Sequence, residues 1–236
     1  MTRLHRRVYD RADFVDDYLV SYAPYLRNAF TRGLERLGRA CPPSGEPLLD
    51  VGCSFGYFLW LARDAGYAVK GIELAPGLAR EAGRRYGIDV WPGTLLRHPF
   101  AAGSFAVVTL WDVLEHCADV RDVVDRMIDL LRPEGLLSIR VPDFSFASAE
   151  LPASFIEPFV DEVFPLDFGY HGAHFSQASL DLLLADCGLE VIDRWPSQVD
   201  EYTPKDRDVY RETVARAEEL GIACEQNVIC RHKGGE

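Results

Sequence analysis

Apolar residues recur at three- and four-residue spacing over residues 8–37, through Phe14, Tyr18, Tyr22, Tyr25, Leu26, Phe30, Leu34 and Leu37. That period predicts helix, and Pro24 predicts a kink or a break into two helices. Residues 41–47, Cys-Pro-Pro-Ser-Gly-Glu-Pro, read as a linker. Beyond it the rhythm alternates. Short apolar runs at 47–51, 68–72, 88–91, 105–110, 136–141, 189–194 and 227–232 predict seven strands. Amphipathic runs at 57–65, 77–86, 120–131 and 177–187 predict helices between them, with Gly66 as the C-terminal cap of the first. Such alternation implies βαβ units and an α/β, doubly wound, mostly parallel sheet. The period lapses at 143–173, rich in Phe, Pro and Asp, and again at 195–226, where residues 207–220 alone read as helix. Both stretches read as insertions, the first as a cap over the sheet edge.

At 236 residues the chain is long enough for one large domain with a sizeable core. Its net charge of −12 argues against a general nucleic-acid binder, which needs a basic surface. No apolar run approaches the ~18 residues of a membrane span, and no apolar segment follows the basic N-terminus as a signal peptide requires. The six cysteines form no CxxC pair and no zinc spacing, which fits a reducing cytoplasm and no metal site.

The stretch 48–56, Leu-Leu-Asp-Val-Gly-Cys-Ser-Phe-Gly, joins a strand ending near Asp50 to a helix through a glycine turn. Gly52 and Gly56 mark where backbone comes close to a ligand, at the carboxyl end of the first strand. Glu73, 21 positions beyond Gly52, ends the second strand, where a carboxylate accepts hydrogen bonds from ribose hydroxyls. Two cofactor classes use this geometry. A dinucleotide needs G-x-G-x-x-G to cradle its pyrophosphate, and the glycine spacing here is wrong for it. S-adenosylmethionine carries no phosphate. Asp50 suits its ammonium, directly or through water, and the turn's N–H groups suit its carboxylate.

Residues 49–56 resemble the first motif of class I S-adenosylmethionine-dependent methyltransferases. Gly71-Ile-Glu73 resembles their acidic second-strand end. Residues 103–116, Gly-Ser-Phe-Ala-Val-Val-Thr-Leu-Trp-Asp-Val-Leu-Glu-His, resemble their fourth-strand motif, and residues 130–142 the segment that enters and forms the fifth. Residues 174–180 with 183–192 resemble the late helix–strand unit of the ubiquinone-biosynthesis-like branch. These matches follow the family order over residues 46–194. The resemblance implies a Rossmann-like domain over 46–236 behind a helical lid at 1–40. It also implies transfer of the cofactor's methyl group to a small molecule.

On this alignment the cofactor is held by Asp50, Gly52, Cys53, Gly56, Glu73 and Leu74, by Trp111 and Asp112 after strand four, and by Tyr22 from the lid. Two departures stand out. Ser54 replaces the motif's usual third glycine, and Thr94, beside Leu95, stands where an acidic residue often bonds the adenine amine. His171, His174 and His116 are the candidate bases, with His174 equally readable as a structural loop residue. A metal between His171 and His174 lacks a carboxylate partner at fixed spacing. Asp112 also reads as a helix N-cap, and Tyr18, Tyr22 and Tyr25 as plain packing or as a lid near the sulfonium. The Phe-rich run at 144–168 lines an acceptor pocket or merely packs a cap. A hydroxyl oxygen leads as acceptor, then nitrogen, then carbon. A nicotinamide oxidoreductase and a non-catalytic cofactor-binding module are the rival classes. The expected state is a monomer or homodimer without nucleic-acid or membrane partners.

Overall fold

A computed structural model of the protein describes residues 15–16, 23–143, 172–197 and 225–233. Helix α1 (Ala23–Ala40) precedes β1 (Pro47–Val51), α2 (Tyr57–Asp64), β2 (Ala68–Glu73), α3 (Pro76–Tyr86) and β3 (Val90–Pro92). Then come β4 (Phe105–Trp111), a 3-10 turn (Leu114–His116), α4 (Val120–Leu130) and β5 (Leu131–Pro142). Helix α5 (Gln177–Asp186), β6 (Leu189–Ser197) and β7 (Glu225–His232) complete the described chain.

The strands form one seven-stranded sheet in the order β3-β2-β1-β4-β5-β7-β6. The β2–β1, β1–β4, β4–β5 and β2–β3 pairs are parallel, whereas β7 runs antiparallel between β5 and β6. The expected alternation of strands and helices therefore holds. The chain reverses direction in the sheet between β1 and β4, and that switch point leaves a crevice beyond their carboxyl ends. Every residue of β4 is buried, as a central parallel strand covered on both faces requires.

Two apolar layers sandwich the sheet. One packs α1, α2 and α3 through Phe30, Leu37, Phe58, Leu59 and Ala82. The other packs α4 and α5 through Val124, Met127, Leu180 and Leu184. Local chemistry sets the helix starts. The Asp119 carboxylate accepts the Asp122 N–H at 3.0 Å to cap α4, and Ser176 and Ser179 form a reciprocal box at the start of α5. Pro24 kinks no described helix: it stands in the first turn of α1, where a missing N–H costs nothing. Ala65 caps α2, and Gly66 follows it at φ +109°. Strand β5 starts at Leu131, ahead of the expected 136, because Leu131 already pairs with Phe105. The insertion at 143–173 lies outside the described residues except for its two ends, and that at 195–226 except for 195–197 and 225–226; the helix expected at 207–220 lies wholly outside.

Candidate functional site

A cavity of about 420 Å³ opens beyond the carboxyl ends of β1, β2 and β4. Asp50, Gly52, Cys53, Glu73, Leu74, Trp111, Asp112 and His116 all line it, as do Ser54, Phe55, Val113 and Cys117.

The turn after β1 is built on left-handed backbone. Gly52 has φ +76° and Gly56 φ +83°. A Cβ on Gly52 would meet Val113 Cγ2 at 2.5 Å, so this position excludes a side chain both by conformation and by space. Ser54 takes φ +51°, the region that the family's usual glycine adopts freely. Gly56 starts α2 behind the cavity wall, against Ala82.

Four of the turn's N–H groups donate inside the protein. Those of Gly52 and Cys53 both donate to the Ile72 carbonyl, at 2.8 and 3.1 Å, and that of Gly56 donates to the Cys53 carbonyl at 2.9 Å. The Ser54 N–H donates to Glu73 Oε2 at 2.9 Å. The β1–β2 junction thus uses these four amides to fix its own shape. The same finding counts against a pyrophosphate cradle, which needs turn amides directed at the ligand.

Glu73 also accepts the Ala75 N–H at 2.7 Å and thereby satisfies the start of α3. Burial pushes its carboxyl above the usual range, against the opposing pull of these backbone donors. Asp50 is buried at the end of β1, opposite Thr109 of β4 in register. The Thr109 hydroxyl donates to Asp50 Oδ1 at 2.7 Å. Burial nevertheless lifts Asp50 to about 8, and Glu73 nearby adds to the rise.

An aromatic wall closes the α1 side. The Trp111 ring lies 5.1 Å from Phe30 and 4.9 Å from Phe58. Its six-membered ring rests on Gly33, where a Cβ would sit 2.4 Å from Cη2. Leu26 and Phe30 of α1 reach the cavity directly. Tyr22, expected there from the lid, lies outside the described residues, as do Tyr18 and His171.

Asp112 is not a helix N-cap. Val113 stands before the 3-10 turn, and no side chain caps it. Asp112 instead takes φ +54°, its N–H donates to the Arg140 carbonyl at 3.1 Å, and its Oδ1 lies 3.2 Å from Arg140 Nε. Arg140 is wholly buried and also pairs with Glu225 of β7. Glu115, 2% exposed, completes the group. Burial lifts Glu225 to about 8 and Asp112 above its usual value, with Arg140 opposing in both, and it lifts Glu115 far above its own.

His174 is exposed and is not among the cavity residues, but it belongs to a strap anchored at the cavity rim. The N–H groups of Gly172 and Ala173 donate to the Glu115 carbonyl at 2.7 and 3.0 Å. Thr94 is exposed and Leu95 is buried in the opposite apolar layer; neither lines the cavity. Sequence reading overlooked Arg140, Glu115, Glu225 and Thr109. Arg140 did carry a signal, as a charge inside an otherwise apolar strand.

Comparison with known proteins meets this geometry at the same segments. A family described as "Methyltransferase domain" matches residues 22–194, which span the glycine turn, Glu73, the β4 end and the late helix–strand unit. The chain belongs to that family. It falls among the class I S-adenosylmethionine-dependent methyltransferases and has the fold and cofactor of that class. A ubiquinone biosynthesis O-methyltransferase from Albidiferax ferrireducens is 29% identical over 149 residues, covering 60% of this chain and 56% of that protein. Its Xanthomonas axonopodis counterpart is 29% identical over 170 residues, covering 68% and 69%. The C-methyltransferase NovU of Streptomyces niveus is 27% identical, covering 73% of this chain but 39% of its own length. The chain thus spans little more than half of the first of these relatives. Among solved structures, geranyl diphosphate C-methyltransferase from Streptomyces coelicolor shares the fold at TM-score 0.63 and 15% identity, covering 86% of this chain and 76% of its own. A chain of the complex between the Haloferax volcanii Trm112 methyltransferase activator and a methyltransferase does so at 0.67 and 17%, covering 98% and 99%. Among the described residues, no helix is long and apolar enough to cross a membrane, and no group of three or more His, Cys, Asp and Glu suits a metal.

Proposed function

We propose that the protein methylates a hydroxyl oxygen of a small molecule, using S-adenosylmethionine held in the cavity at the β1–β4 switch point. The supporting observation is the convergence of Asp50, the Gly52–Gly56 turn and Glu73 on one cavity, walled opposite by Trp111 and Asp112. When bound, the cofactor supplies an activated methyl group. Glu73, whose Oε1 and Oε2 are set by two backbone donors, would accept the ribose hydroxyls. Asp50, once ionised, balances the ammonium. The aromatic wall excludes water and offers ring faces to a cation. Leu74, 40% exposed on the cavity lining, would pack against the adenosine. The residues present therefore fit the cofactor, except that its carboxylate needs a partner beyond those four amides.

Residues 1–40 act as the lid, with α1 supplying Leu26 and Phe30 and the preceding residues supplying Tyr22. The insertion at 143–173 caps the acceptor side, with His171 and His174 at its end. Oxygen is favoured because O-methyltransferases recur among the relatives, although a C-methyltransferase stands beside them. The test is incubation of the full chain with methyl-labelled cofactor and separate panels of phenols and alcohols, amines, and carbon acids. Label in an O-methyl product supports the proposal. Label only in N- or C-methyl products overturns the choice of atom. Saturable cofactor binding without transfer to any panel favours the non-catalytic module.

A further inference from the structure

The buried charge cluster behind the cavity is electrically unbalanced. Arg140 of β5 is 0% exposed and carries the cluster's one guanidinium among the described residues. It meets Asp112 at the end of β4 and Glu225 of β7, with Glu115 of the 3-10 turn alongside. One guanidinium offsets one carboxylate charge, and two more buried negative charges would be very costly. The group therefore shares protons rather than carrying three full charges. Its members come from four separate elements, so the fold assembles it deliberately at the sheet's ligand end.

Asp112 is its outlet. Oδ1 is buried against Arg140, yet 33% of the side chain is exposed and the residue lines the cavity. Its φ of +54° is a conformation that costs a non-glycine residue about 1 kcal/mol, and such strain gathers at functional sites. The other titratable groups around this cavity are Asp50 from β1, Cys53 from the glycine turn, Tyr57 from α2, Glu73 from β2, His116 at the end of the 3-10 turn and Cys117 just beyond it.

We propose that Asp112 takes the acceptor's proton, with Arg140 positioning it and Glu115 and Glu225 sharing the proton behind it. This rests on the methyltransferase reading above. As the acceptor's X–H bond breaks, its electron pair stays on X and forms the bond to the methyl carbon, while the methyl–sulfur bond breaks with its pair left on sulfur, so the sulfonium departs as a neutral thioether. The proton forms an O–H bond on Asp112, which passes from carboxylate to acid, and reaches bulk water once product leaves. A group close enough to do this senses the sulfonium charge, which vanishes when the methyl group leaves.

The test compares S-adenosylmethionine with S-adenosylhomocysteine by calorimetry of the full chain at about pH 6.5, in buffers of differing ionisation heat, so that bound protons are counted. Both ligands carry the same ammonium and carboxylate, so Asp50 cancels in the difference. The proposal expects the methylated cofactor to release more protons on binding than its product does. It expects that difference to vanish in Asp112→Asn and to persist in Asp50→Asn. Equal proton counts in the wild type, or a difference that survives in Asp112→Asn, overturn it. Failure of either ligand to bind overturns the cofactor reading beneath it. With any acceptor that turns over, Asp112→Asn lowers kcat by about 10²–10⁴-fold, and Asp112→Glu restores part of the loss. A change confined to KM contradicts a proton-transfer role.

Discussion

Asp50 should make cofactor affinity depend on pH in a way that one substitution removes. Burial holds its carboxyl at about 8, against an ordinary value of about 3.9. Below pH ~8 the empty site therefore holds Asp50 neutral. An ammonium needs the charged form, so binding must displace a proton. Apparent affinity then rises up to about tenfold per pH unit while the ligand's own amine, with a pKa near 8, stays charged. Between about pH 5.5 and about pH 7 the gain approaches 30-fold, or about 2 kcal/mol. Asp50→Asn keeps an oxygen that accepts the Thr109 hydroxyl, so the fold should persist. It removes the titration. Wild type and variant should bind almost equally at the acid end and diverge up to 30-fold at the neutral end. Calorimetric titration with S-adenosylhomocysteine across this range reads both curves. Parallel curves would refute the assignment of Asp50 to the ammonium, whatever their absolute affinity.

Three further substitutions probe the same frame. Gly52→Ala puts a methyl 2.5 Å from Val113 Cγ2 at a φ of +76°, and should cost about 2–4 kcal/mol in denaturant unfolding together with cofactor binding. Ser54→Gly relieves the left-handed strain at φ +51° and should leave stability unchanged or raise it by about 1 kcal/mol, since glycine's unfolded-state entropy offsets part of the gain. Arg140→Met leaves Asp112 and Glu225 buried without their cation and should cost about 3–5 kcal/mol at pH ~8. Both carboxyls are raised in the folded state, Glu225 to about 8, so their ionisation erodes stability as pH rises, for Glu225 from ~4 toward ~8. The Arg140→Met penalty should accordingly shrink toward pH ~5, and a pH-independent penalty would contradict the charge argument.

The parts of this molecule that are legible in sequence share a physical origin. Strand and helix alternation follows from apolar periodicity, and the glycine turn from φ values that Gly52 and Gly56 tolerate best. Glu73 is readable because it sits at a strand end, at ribose spacing from that turn. The remainder depends on register between distant strands. Thr109 meets Asp50 only because β4 lies beside β1, and Glu225 reaches Arg140 only because β7 inserts antiparallel next to β5. Nothing local announces either contact. Asp112 shows the same limit: an aspartate before a short helix reads as a cap, but the buried arginine of the adjacent strand outcompetes the turn's amides for its carboxylate. The turn amides read as ligand donors until the Ile72 carbonyl and Glu73 are seen to use them. His171 and Tyr22 lie outside the described residues, so their expected roles stand as proposals.

The measurement that bears most directly on the account is calorimetric titration of the full chain with S-adenosylmethionine and, separately, with NADH, on wild type and on Glu73→Ala. The account predicts saturable binding of S-adenosylmethionine, weakened at least tenfold by the substitution, and none of NADH. Loss of Glu73 also strips two backbone amides of their acceptor, so circular dichroism must show the variant folded at the titration temperature. Binding of NADH, or equal binding of S-adenosylmethionine by a folded Glu73→Ala protein, would contradict it.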